Sequence, residues 1–292
     1  MDKRVYVTVS FNDQKEFQVF SQEYGKKTKF KIDESYPESR LPLIFKPIWA
    51  VCREISYRSD FNSGFNISIK SDIPPGAGLG SSAAVAVATA AAAGACLNLK
   101  LSKSEISDIA FEAEKIVHGT PSGIDNTITT YGSAILYKKG EIKQVKIKSR
   151  IPLVIGDTGL ERSTAEWVRK VRLRRDRQKG IMTSVINSIG ILVTESLKFL
   201  AKNDLPALGE LMDINQGLLE AIGVSTFELN KLISVARRNG AHGAKLTGAG
   251  GGGCMIALSP EKKQKQIADA ILKVKGKPII TNISPQGVKI EK

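Results

Sequence analysis

The segment Ile73-Pro-Pro-Gly-Ala-Gly-Leu-Gly-Ser-Ser-Ala-Ala84 restricts the fold more than any other part of the chain. Before it, Phe65-Asn-Ile67-Ser-Ile69-Lys-Ser71 alternates apolar and polar residues, the period of a half-buried strand. After it, Ala83–Cys96 is dominated by alanine, the strongest helix former. The glycines therefore join a strand's end to a helix's start. There the first backbone N–H groups have no intrahelical acceptor, and the helix dipole is positive. Glycine lets the backbone approach a ligand closely, and Ser81 and Ser82 add hydroxyls. The segment predicts a phosphate cradle. An ordinary strand-to-helix turn is the competing reading, which a lone glycine loop does not exclude.

The rest of the chain must decide, and its size and composition set the bounds. Its 292 residues can bury a substantial core in one large or two medium domains. The longest apolar run, Ala83–Cys96, is too short and too weakly hydrophobic for a membrane span, and the first residues lack the apolar centre of a secretion signal. Cys52, Cys96 and Cys254 are odd in number, far apart and set in apolar sequence. They read as buried free thiols of a reducing compartment, so a cytoplasmic protein is expected. With two histidines and no clustered cysteines, a structural zinc site is not expected.

The net charge is +14, and Arg169-Lys-Val-Arg-Leu-Arg-Arg-Asp-Arg-Gln-Lys179 concentrates part of it, with seven basic residues against one acidic. Such a patch can bind nucleic acid or gather an anionic small substrate. A solvated helix face is the preferred reading, because no aromatic residues interleave for base stacking.

In order, Val5–Ser10, Phe17–Phe20 and Thr28–Ile32 are expected as strands in an antiparallel arrangement. Leu41–Ser56 has apolar residues at helical spacing, with breaks at Pro42 and Pro47. Ser102-Lys-Ser-Glu105 is a capping box opening a helix that runs to about His118. Ala134–Tyr137 and Glu141–Ile147 read as a hairpin, closing a first domain of 1–150. A second domain of 151–292 opens with the strand Leu153–Ile155. Helices follow at 163–175, 181–202, 205–217 and 226–238, the last ended by Gly240. A second glycine loop, Lys245-Leu-Thr-Gly-Ala-Gly-Gly-Gly-Gly253, leads into the strand Cys254–Leu258. A helix over 260–274 and a strand over 278–283 complete an α+β chain.

Two carboxylates stand out. Glu112 neighbours Asp108 and Lys115 at helical spacing and is expected to face water. Glu114 instead neighbours Ala110, Phe111, Val117 and His118, so its carboxylate points toward the interior edge. A buried carboxylate needs a partner; a bound cation and a nearby lysine or backbone donor are weighed evenly. Asp125 leaves the tight loop His118-Gly-Thr-Pro-Ser-Gly-Ile-Asp125 and is either a general base or a turn former. His118 has a simple role open to it, at the end of its helix.

Three ordered stretches together resemble one family. Pro75–Ala84 is similar to the phosphate-binding signature of the GHMP small-molecule kinases, and Lys245–Gly253 to their C-terminal glycine motif. The stretch Glu114-Lys-Ile-Val-His-Gly-Thr-Pro-Ser-Gly-Ile-Asp-Asn126 most resembles mevalonate kinases of the short archaeal type. The likeness covers nearly the whole chain. It implies a two-domain α+β fold, with a ribosomal protein S5 domain 2-like N-terminal domain and a ferredoxin-like C-terminal domain, and ATP at the domain junction. The implied reaction is ATP-dependent phosphorylation of mevalonate to mevalonate 5-phosphate in isoprenoid biosynthesis. For the site, it implies that Pro75, Gly76, Ala77, Gly78, Leu79, Gly80, Ser81 and Ser82 hold the ATP phosphates, with Gly250 and Gly251 of the second loop approaching most closely. Ser81 or Ser82, with Glu114, would ligate Mg²⁺. Asp125 would orient the mevalonate 5-hydroxyl or take its proton, with His118 and Thr164 near the substrate. The partners expected are the small-molecule substrate alone, with neither nucleic acid nor membrane; oligomeric state is open, a homodimer included.

Rival readings are another GHMP kinase (for phosphomevalonate, homoserine or a sugar), a nucleotide-binding protein with impaired catalysis, and a basic nucleic-acid binder. The second rests on a departure: the family's opening Ala-Pro-Gly-Lys-type strand and loop stands nowhere in this sequence. A start upstream of Met1 is the favoured explanation over a shortened, impaired protein, because the other motifs are intact. Losing one fixed charge at a phosphoryl-transfer centre costs roughly 10²–10³ in rate. A version extended upstream by such a segment is therefore expected to exceed the 292-residue chain in mevalonate turnover by about that factor. Equal inactivity of both, with ATP still bound, would support the binding-protein reading.

Overall fold

The computed structural model describes residues 1–31, 41–59, 61, 63–73, 79–119, 121–138, 141–145, 147, 149–160 and 163–291, with the backbone alone for 43 and 118. Contacts divide the chain into two units. The N-terminal unit spans Lys3–Pro75, Gly80–Val145 and Ser284–Lys292. The C-terminal unit is built on Lys146–Ile283 with Met1–Asp2 and the short stretch ending at Leu79. The chain's last segment thus returns to the unit in which most of its first half folds. Arg4 holds it there, donating to Gly287 O at 2.7 Å, Ser284 Oγ at 2.9 Å and Gln286 O at 3.1 Å.

The N-terminal unit contains strands β1 (Val5–Asn12), β2 (Phe17–Ser21), β3 (Lys26–Phe30) and β4 (Gly64–Ser71) in the order β1-β4-β2-β3. Its helices are α1 (Lys46–Ser59), α2 (Ser81–Cys96), α3 (Lys103–His118) and α4 (Ile124–Tyr131). A hairpin of β5 (Ala134–Lys138) and β6 (Glu141–Val145) follows. Alternation along β2 and β4 sends Phe17, Val19, Phe65, Ile67 and Ile69 into a core shared with α1, α2 and α3. The alanines of α2 allow that packing: Ala86, Ala90 and Ala93 are buried among Trp49, Ile55 and Ile109. Pro47 is tolerated as the second residue of α1, where no intrahelical N–H bond is lost, after a 3₁₀ turn at Leu43–Phe45.

One expectation fails here. β1 pairs with β4, and β2 runs parallel to β4, with only the β1–β4 and β2–β3 pairs antiparallel. Alternation has a period of two in either direction, so it specifies strands without specifying which neighbour each takes. Ile32, expected at the end of β3, lies outside the described residues, as does the turn at 139–140.

The C-terminal unit contains β7 (Pro152–Asp157), α5 (Thr164–Arg177), α6 (Lys179–Lys202), α7 (Leu205–Ala221), α8 (Phe227–Arg238), β8 (Gly243–Leu246), β9 (Cys254–Leu258), α9 (Gln264–Lys273) and β10 (Lys277–Asn282). Its sheet is wholly antiparallel, ordered β10-β7-β9-β8. One face, with Val154, Ala244, Leu246, Met255 and Ala257, is buried against Leu229, Leu232 and Ile233 of α8 and Ile267 and Ile271 of α9. β8 was not expected, because its four residues directly precede the glycine run and include Lys245. It meets α7 where Gly209 and Gly243 touch backbone to backbone; a Cβ on Gly243 would lie 2.0 Å from Gly209 O.

The Arg169–Lys179 patch is the exposed side of α5 and its junction with α6, as expected of a solvated face. By contrast α6, with mean hydropathy 1.4, is the one helix among the described residues long and apolar enough to cross a membrane by length and composition. Its isoleucines are spaced by glycine, serine and threonine, so no continuous apolar run marks it in the sequence. It packs on α5 and α7 within this unit.

Candidate active site

In the N-terminal unit the start of α2 has no side-chain cap among the described residues. Gly80 is its N-cap in the left-handed conformation, at φ +73°, and supplies no side chain to bond the first N–H groups. Ser81 and Ser82 are the first helical residues, both half-buried. Together these give N–H groups without a side-chain cap, two hydroxyls and the positive end of a helix dipole at one place. Pro75, Gly76, Ala77 and Gly78 lie outside the described residues.

Two helices bring carboxylates to the same unit. α3 begins at the expected capping box, where Glu105 N donates to Ser102 Oγ at 3.2 Å and Ser102 N to Glu105 Oε2 at 2.7 Å. This fixes the phase of the helix. Glu112 then faces water beside Lys115 at 2.7 Å, and Glu114 is 6% exposed. Glu114 has no hydrogen-bond or ion-pair partner among the described residues. Burial first, and the Asp125 charge second, push its carboxyl up to about 7.

Asp125 is not in a loop, as the glycines and proline before it suggested. It occupies the first turn of α4, whose N-cap Gly123 turns the chain into the helix at φ +80°. Asp125 lies against Gly80, since a Cβ placed on that glycine would be 3.9 Å from the carboxyl carbon. α4 is keyed to α3 by Asn126, which is buried and donates through Nδ2 to Ser107 O at 3.1 Å and Ser107 Oγ at 2.9 Å. Ser107 is on the helix that bears Glu114, so this bond sets the spacing of the two carboxylates. Sequence reasoning missed Asn126 and Ser107, because a positioning bond between helices has no local pattern. His118 ends α3; its side chain lies outside the description.

The C-terminal unit holds the remaining residues. Gly250 and Gly251, at φ +76° and +79°, pack so closely that a Cβ would lie 2.2 Å from Val224 O and 1.9 Å from Trp167 Nε1 respectively. Gly251 N donates to Val224 O at 2.8 Å, and Thr158 ties down the loop's end, its N and Oγ1 each 2.9 Å from Gly253 O. Thr164 is exposed as the first residue of α5, after the N-cap Ser163. Lys245, beside this loop, is a further group that sequence reasoning did not assign. Desolvation draws its ammonium down to about 8, and Nζ donates to Leu246 O at 2.7 Å.

The residues fit Mg²⁺. It takes hard oxygen ligands and completes its shell with water and substrate phosphates. Glu114, buried and without a partner among the described residues, offers such an oxygen, and the hydroxyls of Ser81 and Ser82 offer others. No group of three or more His, Cys, Asp or Glu forms a closed metal cage among the described residues. An ion held by few protein ligands and a nucleotide needs none.

Comparisons with known proteins identify the family. The signature described as GHMP kinases N terminal domain matches residues 43–133, and GHMP kinases C terminal matches 196–276. The mevalonate kinase of Pyrococcus abyssi is 41% identical over 302 aligned residues, covering 100% of this chain and 90% of that protein. Among solved structures, L. major mevalonate kinase in complex with R-mevalonate superposes with a TM-score of 0.86 at 29% identity, covering 99% of this chain and 89% of the other. The Methanococcus jannaschii mevalonate kinase gives 0.85 at 25% identity, covering 95% and 88%.

The raised Glu114 carboxyl makes stability depend on pH. Its unfolded value is 4.5 and its folded value about 7. As pH rises the unfolded chain loses this proton first, so the folded state is progressively disfavoured between those values and the effect levels off above 7. In urea titrations of the ligand-free protein at pH 5 and pH 8, Glu114→Gln is expected to lose less stability than wild type across the interval. An identical loss in both would show that Glu114 titrates normally.

Proposed function

This chain belongs to the GHMP kinases, and within them to the mevalonate kinases, and we propose that its N-terminal carboxylate pair and the start of α2 are the chemical centre of mevalonate phosphorylation by ATP. The observation that carries the assignment is Asp125 lying against Gly80. A carboxylate able to act on a hydroxyl is thereby set beside a helix start able to hold phosphate.

In the reaction, the mevalonate 5-hydroxyl oxygen bonds to the γ-phosphorus of ATP as the bond from that phosphorus to the bridging oxygen of ADP breaks. The hydroxyl proton leaves, and Asp125 orients the hydroxyl or accepts that proton. The N–H groups of Gly80, Ser81 and Ser82 hold phosphate oxygens, and Gly250 and Gly251 of the C-terminal unit are assigned to nucleotide binding. Glu114 with Ser81 or Ser82 would hold Mg²⁺, which would supply positive charge to offset that of the phosphates. Phosphoryl transfer asks the protein mainly for position and charge, and a carboxylate pair keyed by Asn126 supplies the first. His118 and Thr164 are assigned to the mevalonate side of the site.

We also assign the protein to a reducing, cytoplasmic setting, consistent with the free thiols of Cys52 and Cys96. A homodimer is the assembly we propose, with α6, uncharged from 180 to 194 and exposing Ile181, Ile186, Ile191 and Val193, as the face available to a second copy.

Asp125→Asn is expected to lose turnover almost completely, by about 10³-fold or more, with ATP affinity largely kept. Steady-state kinetics beside nucleotide binding measures both. Normal turnover in the variant would remove Asp125 from this role, and faster turnover of galactose, homoserine or phosphomevalonate by wild type would reject mevalonate as the substrate.

A further inference from the structure

A cleft of about 310 Å³ opens in the C-terminal unit between α5 and the turn that follows α7, outside the residues assigned to the reaction. Its charged lining is cationic: Lys170, Arg174 and Arg177, with no carboxylate. Lys170 shares its charge with Glu166 at 2.7 Å. Neither arginine has an ion-pair partner among the described residues. Val171 and Ile222 give the cleft an apolar wall, and Gly223 lets a guanidinium approach its backbone: a Cβ there would overlap Arg174 Nη1 at 1.8 Å. This separates Arg174 and Arg177 from the rest of the α5 basic face. They line this cleft, whereas Arg172 and Arg175 do not.

The same two walls support the second glycine loop. Trp167, on α5, fills the place a side chain on Gly251 would take, and its ring lies 4.3 Å from the Lys170 ammonium. The turn 222–224 presents Val224 O to Gly251 N at 2.8 Å. A group bound between Arg174, Arg177 and Gly223 thus rests on both supports of the loop.

We propose that this cleft is a second anion site, taking the phosphate or diphosphate group of a small molecule, separate from the nucleotide site. Guanidinium groups bind phosphate oxygens in paired, planar fashion, and two of them with a half-engaged lysine match a dianion. Occupancy is reported by Trp167, through Lys170 and α5.

The test is titration of the full chain with orthophosphate, pyrophosphate and butyl phosphate, each with saturating ADP and Mg²⁺ present, followed by calorimetry and tryptophan emission. Saturable binding with a change in emission is expected. In Arg174→Gln/Arg177→Gln it should weaken at least tenfold, as loss of a charge-assisted bond is worth roughly a factor of ten. Mevalonate turnover at saturating ATP and thermal stability should be unchanged. Arg172→Gln/Arg175→Gln should bind as wild type does. Tighter binding of butyl phosphate than of orthophosphate assigns an organic ligand, and equal binding assigns the inorganic ion. Absence of saturable binding under ADP, or equal weakening in both double variants, would overturn the proposal.

Discussion

A buried carboxylate beside another carboxylate is the constraint on which the N-terminal unit turns. Burial and the charge of Asp125 together keep Glu114 near neutrality, at a carboxyl value of about 7. Burial strips hydration from the Glu114 carboxylate, and the negative charge of Asp125 disfavours its ionisation further. The arrangement becomes favourable when a cation enters. The surrounding architecture maintains it: a capping box sets the phase of α3, Asn126 keys α4 to Ser107, and Gly123 turns Asp125 directly into a helix. The unsatisfied start of α2 supplies the complementary need, an anion. A site that is short of a cation at one place and of an anion at the next is suited to a magnesium nucleotide.

The C-terminal unit meets a different constraint, the placing of a glycine run. Gly250 and Gly251 stand where backbone and an indole leave no room for a side chain. Their φ values would strain any other residue as well. The loop is thus held by Val224, Trp167 and Thr158 rather than by its own sequence. The cationic cleft shares two of those three supports, which is why a ligand there has a route to the loop.

Much of this was legible in the chain itself, where local chemistry determines local form. The strand, glycine and alanine succession predicted β4 and α2, with Gly80 at the helix start. The neighbours of Glu114 three and four residues away gave its inward direction. What escaped the sequence depends on distant partners. The parallel β2–β4 pairing has no signature in a two-residue period. β8 hides beside the glycines, and the Gly209–Gly243 contact exists only once α7 and β8 meet. Asp125 read as a loop residue because Gly, Pro and Ser precede it, yet a left-handed glycine can open a helix as well as a turn. Arg174 and Arg177 were indistinguishable from other basic residues until Gly223 placed a wall beside them.

The central claim, that Glu114 ionises to hold a metal bound with the nucleotide, has a direct measurement. Binding of preformed Mg²⁺–ADP is followed by calorimetry near pH 6.5 in buffers of different ionisation enthalpy, which counts protons exchanged. Metal ligation requires the ionised carboxylate. Wild type should release on the order of one proton on binding. Glu114→Gln should release markedly fewer. Binding by wild type with no proton release would contradict the account.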